Sequence, residues 1–88
     1  MVLFRRIKIM TREELISNLI EFAALAFKVD AATLTEDTNL NDLGTSSVQR
    51  VAMSASIENE YDVMIPVARF GNFETIGKLA DFVLEEAE

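Results

Sequence analysis

The chain has no cysteine, no histidine, one proline and three glycines. Lacking cysteine, it has no disulfide framework, so its fold must rest on an apolar core, and an intracellular, cytoplasmic setting is the simplest expectation. Without histidine or cysteine, a hydroxyl has no ordinary general base to make it a nucleophile in its own right, and a metal would find only carboxylates. No Asp-x-Asp-x-Asp-Gly interval of the calcium-loop type occurs. No positioned acid-base pair or cofactor loop is visible either, so the expected role is not enzymatic.

What is present describes a small acidic globule. With 88 residues, 50% hydrophobic and 26% charged, the chain makes one domain with one core. The net charge of −7 hides an asymmetry: residues 1–10 hold Arg5, Arg6 and Lys8 and no acid, leaving five basic and fifteen acidic residues in 11–88. Such a surface repels nucleic acid and anionic membrane and is drawn to basic patches on proteins. A monomer that inserts into no membrane is expected. Val2, Leu3 and Phe4 followed by Arg5-Arg6-Ile7-Lys8-Ile9 are too few for a secretory or membrane segment. Thr11-Arg12-Glu13-Glu14 reads as a capping box. The domain is therefore expected over 11–88, with 1–10 a tail or the trace of an upstream start.

An all-α fold follows from the apolar spacing. Leu15, Ile16, Leu19, Ile20 and Ala23 recur on one face of a helix over Arg12–Phe27. A long polar loop from about Asp30 to Gly44 is expected to be pinned by Val29, Leu34, Leu40 and Leu43. A second long helix spans Ser47 to Tyr61. Pro66 opens a short helix that ends at Phe70 before Gly71, and a last helix carries Ile76, Leu79, Ala80 and Val83. The architecture is a four-helix bundle, three helices long and one short, with a long loop between the first two long helices.

Ser47 stands where that loop becomes a helix, in Asp42-Leu43-Gly44-Thr45-Ser46-Ser47-Val48, and reads as an attachment point rather than a catalyst. At 100° per residue the helix carries Met53, Ile57 and Tyr61 on one side. Val48, Val51, Ala52 and Ala55 form a stripe on nearly the opposite side. One stripe can face the core; the other is expected to dock enzymes acting on whatever Ser47 carries.

The spacing Asp42-Leu43-Gly44-x-x-Ser47-Val48, with Glu58-Asn59-Glu60-Tyr61-Asp62-Val63-Met64-Ile65-Pro66 downstream, resembles the acyl carrier protein family over about Thr11 to Leu84. The resemblance implies 4'-phosphopantetheine attached to Ser47 by a phosphopantetheinyl transferase. It further implies acyl groups carried as thioesters and a bundle core that can admit an acyl chain. Phe22, Met53, Ile57, Ile65, Phe70, Phe73 and Phe82 are the candidates for lining it. Arg50, near the core-facing side, is expected to meet a polar or anionic group should the cargo be short and polar.

Two departures shape the expectation. The family's usual Asp-Ser-Leu is Ser46-Ser47-Val48 here, with Ser46 and Gln49 in capping-box register. Val48 to Ile57 also holds no acid and one base, Arg50, so partner choice is expected to fall on the apolar stripe and on Glu58, Glu60 and Asp62. Dedicated loading and transfer enzymes with basic or apolar docking patches are expected, in a specialised lipid or secondary-metabolite pathway rather than general fatty acid biosynthesis. Ile65-Pro66-Val67-Ala68-Arg69-Phe70-Gly71 also resembles the D-alanyl carrier proteins, which keeps an aminoacyl, D-alanyl or peptidyl cargo open. An unmodified helical protein-interaction module is the alternative from another class.

Overall fold

A computed structural model describes residues 11–87; the expected tail over 1–10 lies outside the described residues. The first described helix opens on the expected capping box. Thr11 Oγ1 accepts from the Glu14 amide at 3.1 Å and Glu14 Oε1 accepts from the Thr11 amide at 3.1 Å, satisfying two donors that a helix start would otherwise orphan. Helix α1, Arg12–Phe27, buries Leu15, Leu19, Ala23 and Phe27. It closes at Lys28, left-handed at φ 59°, whose amide returns to Ala24 O.

The long connection that follows is organised. Asp30 caps a 3₁₀ turn at Ala31–Thr33 and Asn39 caps α2, Leu40–Leu43, two short elements too brief to leave a periodic signal in the sequence. Leu34 and Leu40 enter the core while Val29 and Leu43 pack half-buried against it, as the anchor spacing predicts. The loop is tied to the start of the last helix by an antiparallel bridge between Asn39 and Thr75. Further bonds run from the Leu40 amide to Glu74 O at 2.6 Å and from the Gly77 amide to Glu36 O at 2.8 Å. Arg12 adds ion pairs to Glu36 and Asp81, each at 2.8 Å, exposed contacts worth little singly.

Helix α3, Ser47–Tyr61, packs on α1, which also packs on α4, Ile76–Ala87. Between them a 3₁₀ helix runs Val67–Phe73, completing the three long helices and one short one. Gly71 does not end this element, as its residue type suggests from sequence. It lies inside, because a Cβ there would come 2.5 Å from Asn41 Oδ1; the glycine makes room for a side chain thirty positions away. The stop is Glu74, at φ 73°. Its carboxyl is held below the usual carboxylate range by the bond from Lys78.

The core gathers Leu15, Leu19, Leu40, Met53, Ile57, Phe70, Ile76, Leu79 and Val83, all fully buried. Tyr61 keeps a polar handle within it, its hydroxyl accepting from Asn18 Nδ2 at 2.7 Å, and burial raises the phenol's pKa. Ser54 is buried, and its hydroxyl has no hydrogen-bond partner among the described residues. Desolvating an unpaired hydroxyl costs about 1–3 kcal/mol. Ser54→Ala is therefore expected to raise stability by about 1 kcal/mol in a urea titration, and a loss of stability would mean that the hydroxyl has an unrecognised partner. No described helix is long and apolar enough to cross a membrane.

Candidate functional site

Gly44 shapes the turn into α3. Its φ of 153° is one that L side chains rarely adopt, and a Cβ there would lie 3.2 Å from Gln49 Oε1 and 3.3 Å from Phe27 Cδ1. A side chain there would be strained by this φ and would press on Gln49 and Phe27. After this turn Ser46 occupies the N-cap position with extended backbone, and its carbonyl accepts from the Arg50 amide at 3.1 Å. Its side chain makes no capping bond. The capping-box expectation at Ser46 and Gln49 is thereby corrected: the Gln49 amide oxygen lies over Gly44 and does not return to Ser46.

Ser47 is the first residue of α3 and its side chain is exposed. Helical side chains lean toward the N-terminus, so the hydroxyl projects off that end of the helix. The first turn carries no acid and no side-chain cap. The positive end of the helix dipole and its free amides therefore face the space around Ser47. A phosphodiester on that oxygen would suit this surrounding, because the local field favours a negative charge and the hydroxyl meets no steric cover.

Arg50 fixes the neighbouring wall. Its Nε donates to Gly44 O at 3.2 Å and its Nη2 to Asn41 Oδ1 at 2.9 Å. The guanidinium carbon also sits 5.3 Å from the Phe70 ring centroid. Asn41 Nδ2 donates onward to Gly71 O at 3.1 Å. One string of polar contacts thus links α3, α2 and the 3₁₀ helix beside Ser47. The sequence places Arg50 near the core-facing side; its acceptors come from the fold.

The two faces of α3 separate as the projection predicts. Val48 is 76% exposed and Val51 50% exposed, and Ala52, Ala55 and Glu58 are exposed as well. Met53, Ile57, Ile65 and Phe70 are buried together in the core. Phe73 and Phe82 pack against this core as a half-buried pair, ring centroids 4.9 Å apart. Arg69 lies over both rings at 5.6 and 5.7 Å. Phe22, half-buried, packs on Tyr61 with ring centroids 6.4 Å apart. Periodicity passes over Ser54, the buried hydroxyl one turn beyond Arg50; the projected face of α3 is the signal that could have found it.

A helical bundle presenting an exposed serine at a loop-to-helix junction is an arrangement that suits a carrier domain, which offers a group for attachment rather than a catalytic apparatus. The family described as "Phosphopantetheine attachment site" (PP-binding) matches residues 17–83, and the chain belongs to it. It is 29% identical over 75 residues to an acyl carrier protein of Lactobacillus acidophilus, covering 84% of this chain and 94% of that one. To an acyl carrier protein of Prochlorococcus marinus it is 25% identical with the same coverage. It is also 35% identical over 69 residues to the bikaverin polyketide synthase bik1 of Gibberella fujikuroi, covering 78% of this chain but 3% of the synthase. No solved structure matches at a significant level. The chain is thus a carrier and not an enzyme, and its cofactor is covalently attached 4'-phosphopantetheine. Carrier proteins of this family engage phosphopantetheinyl transferases and acyl-handling enzymes.

Proposed function

We propose that Ser47 carries the phosphopantetheine and that the chain serves a specialised lipid or secondary-metabolite pathway through dedicated enzymes. The thiol at the arm's end supplies the thioester on which an acyl group rides. The chain itself contributes position: an exposed oxygen at a fixed helix end, presented repeatedly to separate active sites. The domain is taken to begin at Thr11.

The observation that carries the pathway reading is the exposed face of α3. From Val48 to Ile57 it offers no carboxylate, and Val48, Val51, Ala52 and Ala55 are exposed along it. A partner that selected carriers by salt bridges would find no acid there; an apolar patch facing this stripe, with basic groups reaching Glu58, Glu60 and Asp62, would fit. Met53, Ile57, Ile65 and Phe70 are the walls that an apolar cargo would part, and Phe73 and Phe82 the outer pair. An aminoacyl or D-alanyl cargo is the second reading, favoured by the polar Arg50–Asn41 pair beside Ser47.

Intact mass of the protein from its own host tests the assignment, since arm and cargo each add their own increment; a chain with no adduct would favour an unmodified interaction module. Val51→Glu tests the stripe. It is expected to lower transfer to and from partner enzymes at least about tenfold, the effect of losing roughly 1.4 kcal/mol of docking, with Tm changed by no more than other surface substitutions. Unchanged transfer rates would remove the stripe from the docking surface.

A further inference from the structure

We infer that Arg50 anchors the arm by binding the anionic phosphodiester that joins it to Ser47. The inference rests on Ser47 as the attachment residue. Its basis is a half-buried charge with no counter-ion among the described residues. Among the described residues Arg12 and Lys78 hold carboxylates and Lys28, Arg50 and Arg69 do not; of these three, Lys28 and Arg69 are exposed to solvent. Arg50 is half-buried. Its bonded acceptors are a backbone carbonyl and a carboxamide, both neutral. Withdrawing a guanidinium from water against neutral dipoles alone is unfavourable, and an anion within reach relieves it.

Reach follows from helix geometry. Residues three apart bring their Cβ atoms to roughly 5–6 Å, and side chains tilt toward the helix start. The Arg50 side chain does run that way, since its Nε meets Gly44, three residues before Ser47. The guanidinium is therefore directed toward the helix start from which Ser47 projects. Nη1 has no acceptor among the described residues and lies 3.2 Å from the point where a Cβ on Gly71 would stand. A guanidinium presents five donors in a planar fork, and two are engaged here. The remaining donors can accept phosphate oxygens while Asn41 and Phe70 hold the plane. Anchored in this way, the arm leaves the domain on the Phe70 side of α3, and the stripe from Val48 to Ala55 stays free for a partner.

The test compares the chain with and without phosphopantetheine, loaded without cargo and verified by mass, in the wild type and in Arg50→Gln. Loading is expected to raise Tm of the wild type by about 4–8 °C more than that of the variant, the scale of one net interaction in a domain of this size. The excess should shrink in high salt. The difference of differences removes the variant's own loss of the Asn41 and Gly44 bonds. If Arg50→Gln does not fold, the wild type alone decides, because the Arg50 Nε–Hε NMR resonance should shift on loading and its exchange with water should slow. Loading with neither the excess in Tm nor the NMR response overturns the anchor. So does a response that appears only after an acyl group bearing a carboxylate is added, which would place the anion on the cargo. No adduct at Ser47 would overturn the attachment reading first, and the mass spectrum separates that outcome from the others.

Discussion

Ser47→Ala is expected to take up no phosphopantetheine at all, whereas Ser46→Ala is expected to be modified to completion. Both hydroxyls are exposed, and neither replacement removes a capping bond, because the Ser46 side chain makes none. Folding should therefore be nearly unchanged in both variants, with far-UV circular dichroism and Tm close to wild type. Intact mass after treatment with a phosphopantetheinyl transferase and coenzyme A decides. Loss of the adduct in Ser46→Ala, with retention in Ser47→Ala, would move the site by one residue. Because the arm carries the thioester, the loss in Ser47→Ala is total rather than graded: no pathway step that needs the carrier can proceed.

The largest stability effect is expected at Phe70. The ring is fully buried, lies 6.2 Å from Phe27 between centroids and supports the Arg50 guanidinium from below. Truncating such a side chain removes its transfer free energy and leaves a cavity, together about 3–5 kcal/mol. Domains of this size hold about 5–15 kcal/mol in all, so Phe70→Ala should lower Tm by at least about 12 °C or leave the chain unfolded at 37 °C. Phe73→Ala, at the half-buried pair beneath Arg69, should cost clearly less. Equal losses at the two positions in chemical denaturation would mean that the core does not centre on Phe70.

The long helices were legible because their signals are local. Thr11 and Glu14 sit three apart, and Leu15, Leu19 and Ala23 repeat every four residues. The same holds for Met53, Ile57 and Tyr61, so the two faces of α3 could be separated before any contact was known. What escaped the sequence depends on residues far along the chain. Gly71 looks like a helix stop in any local window; its real constraint is Asn41. Ser46 and Gln49 have capping spacing, but Gln49 is placed over Gly44 by the packing of the turn on Phe27. Ser54 projects beside Ile57 and Tyr61, so its burial could have been read from the helix face, but that its hydroxyl meets no partner among the described residues could not. Arg50 was visible as the one base beside Ser47, yet the neutrality of its acceptors emerged only from the folded turn.

The direction of α1 sets where this domain can be joined to something else. Phe27, at one end of the helix, touches the turn at Gly44 that leads into Ser47. Thr11 is at the other end, roughly 24 Å away along a helix of sixteen residues. A fusion partner or surface tether attached through Thr11 would therefore stand a full helix length from the serine, leaving the opposite end open for enzymes to approach in turn. Immobilising the domain by that end should leave its rate of modification unchanged, whereas a tether placed in Thr45 or Ser46 would obstruct it.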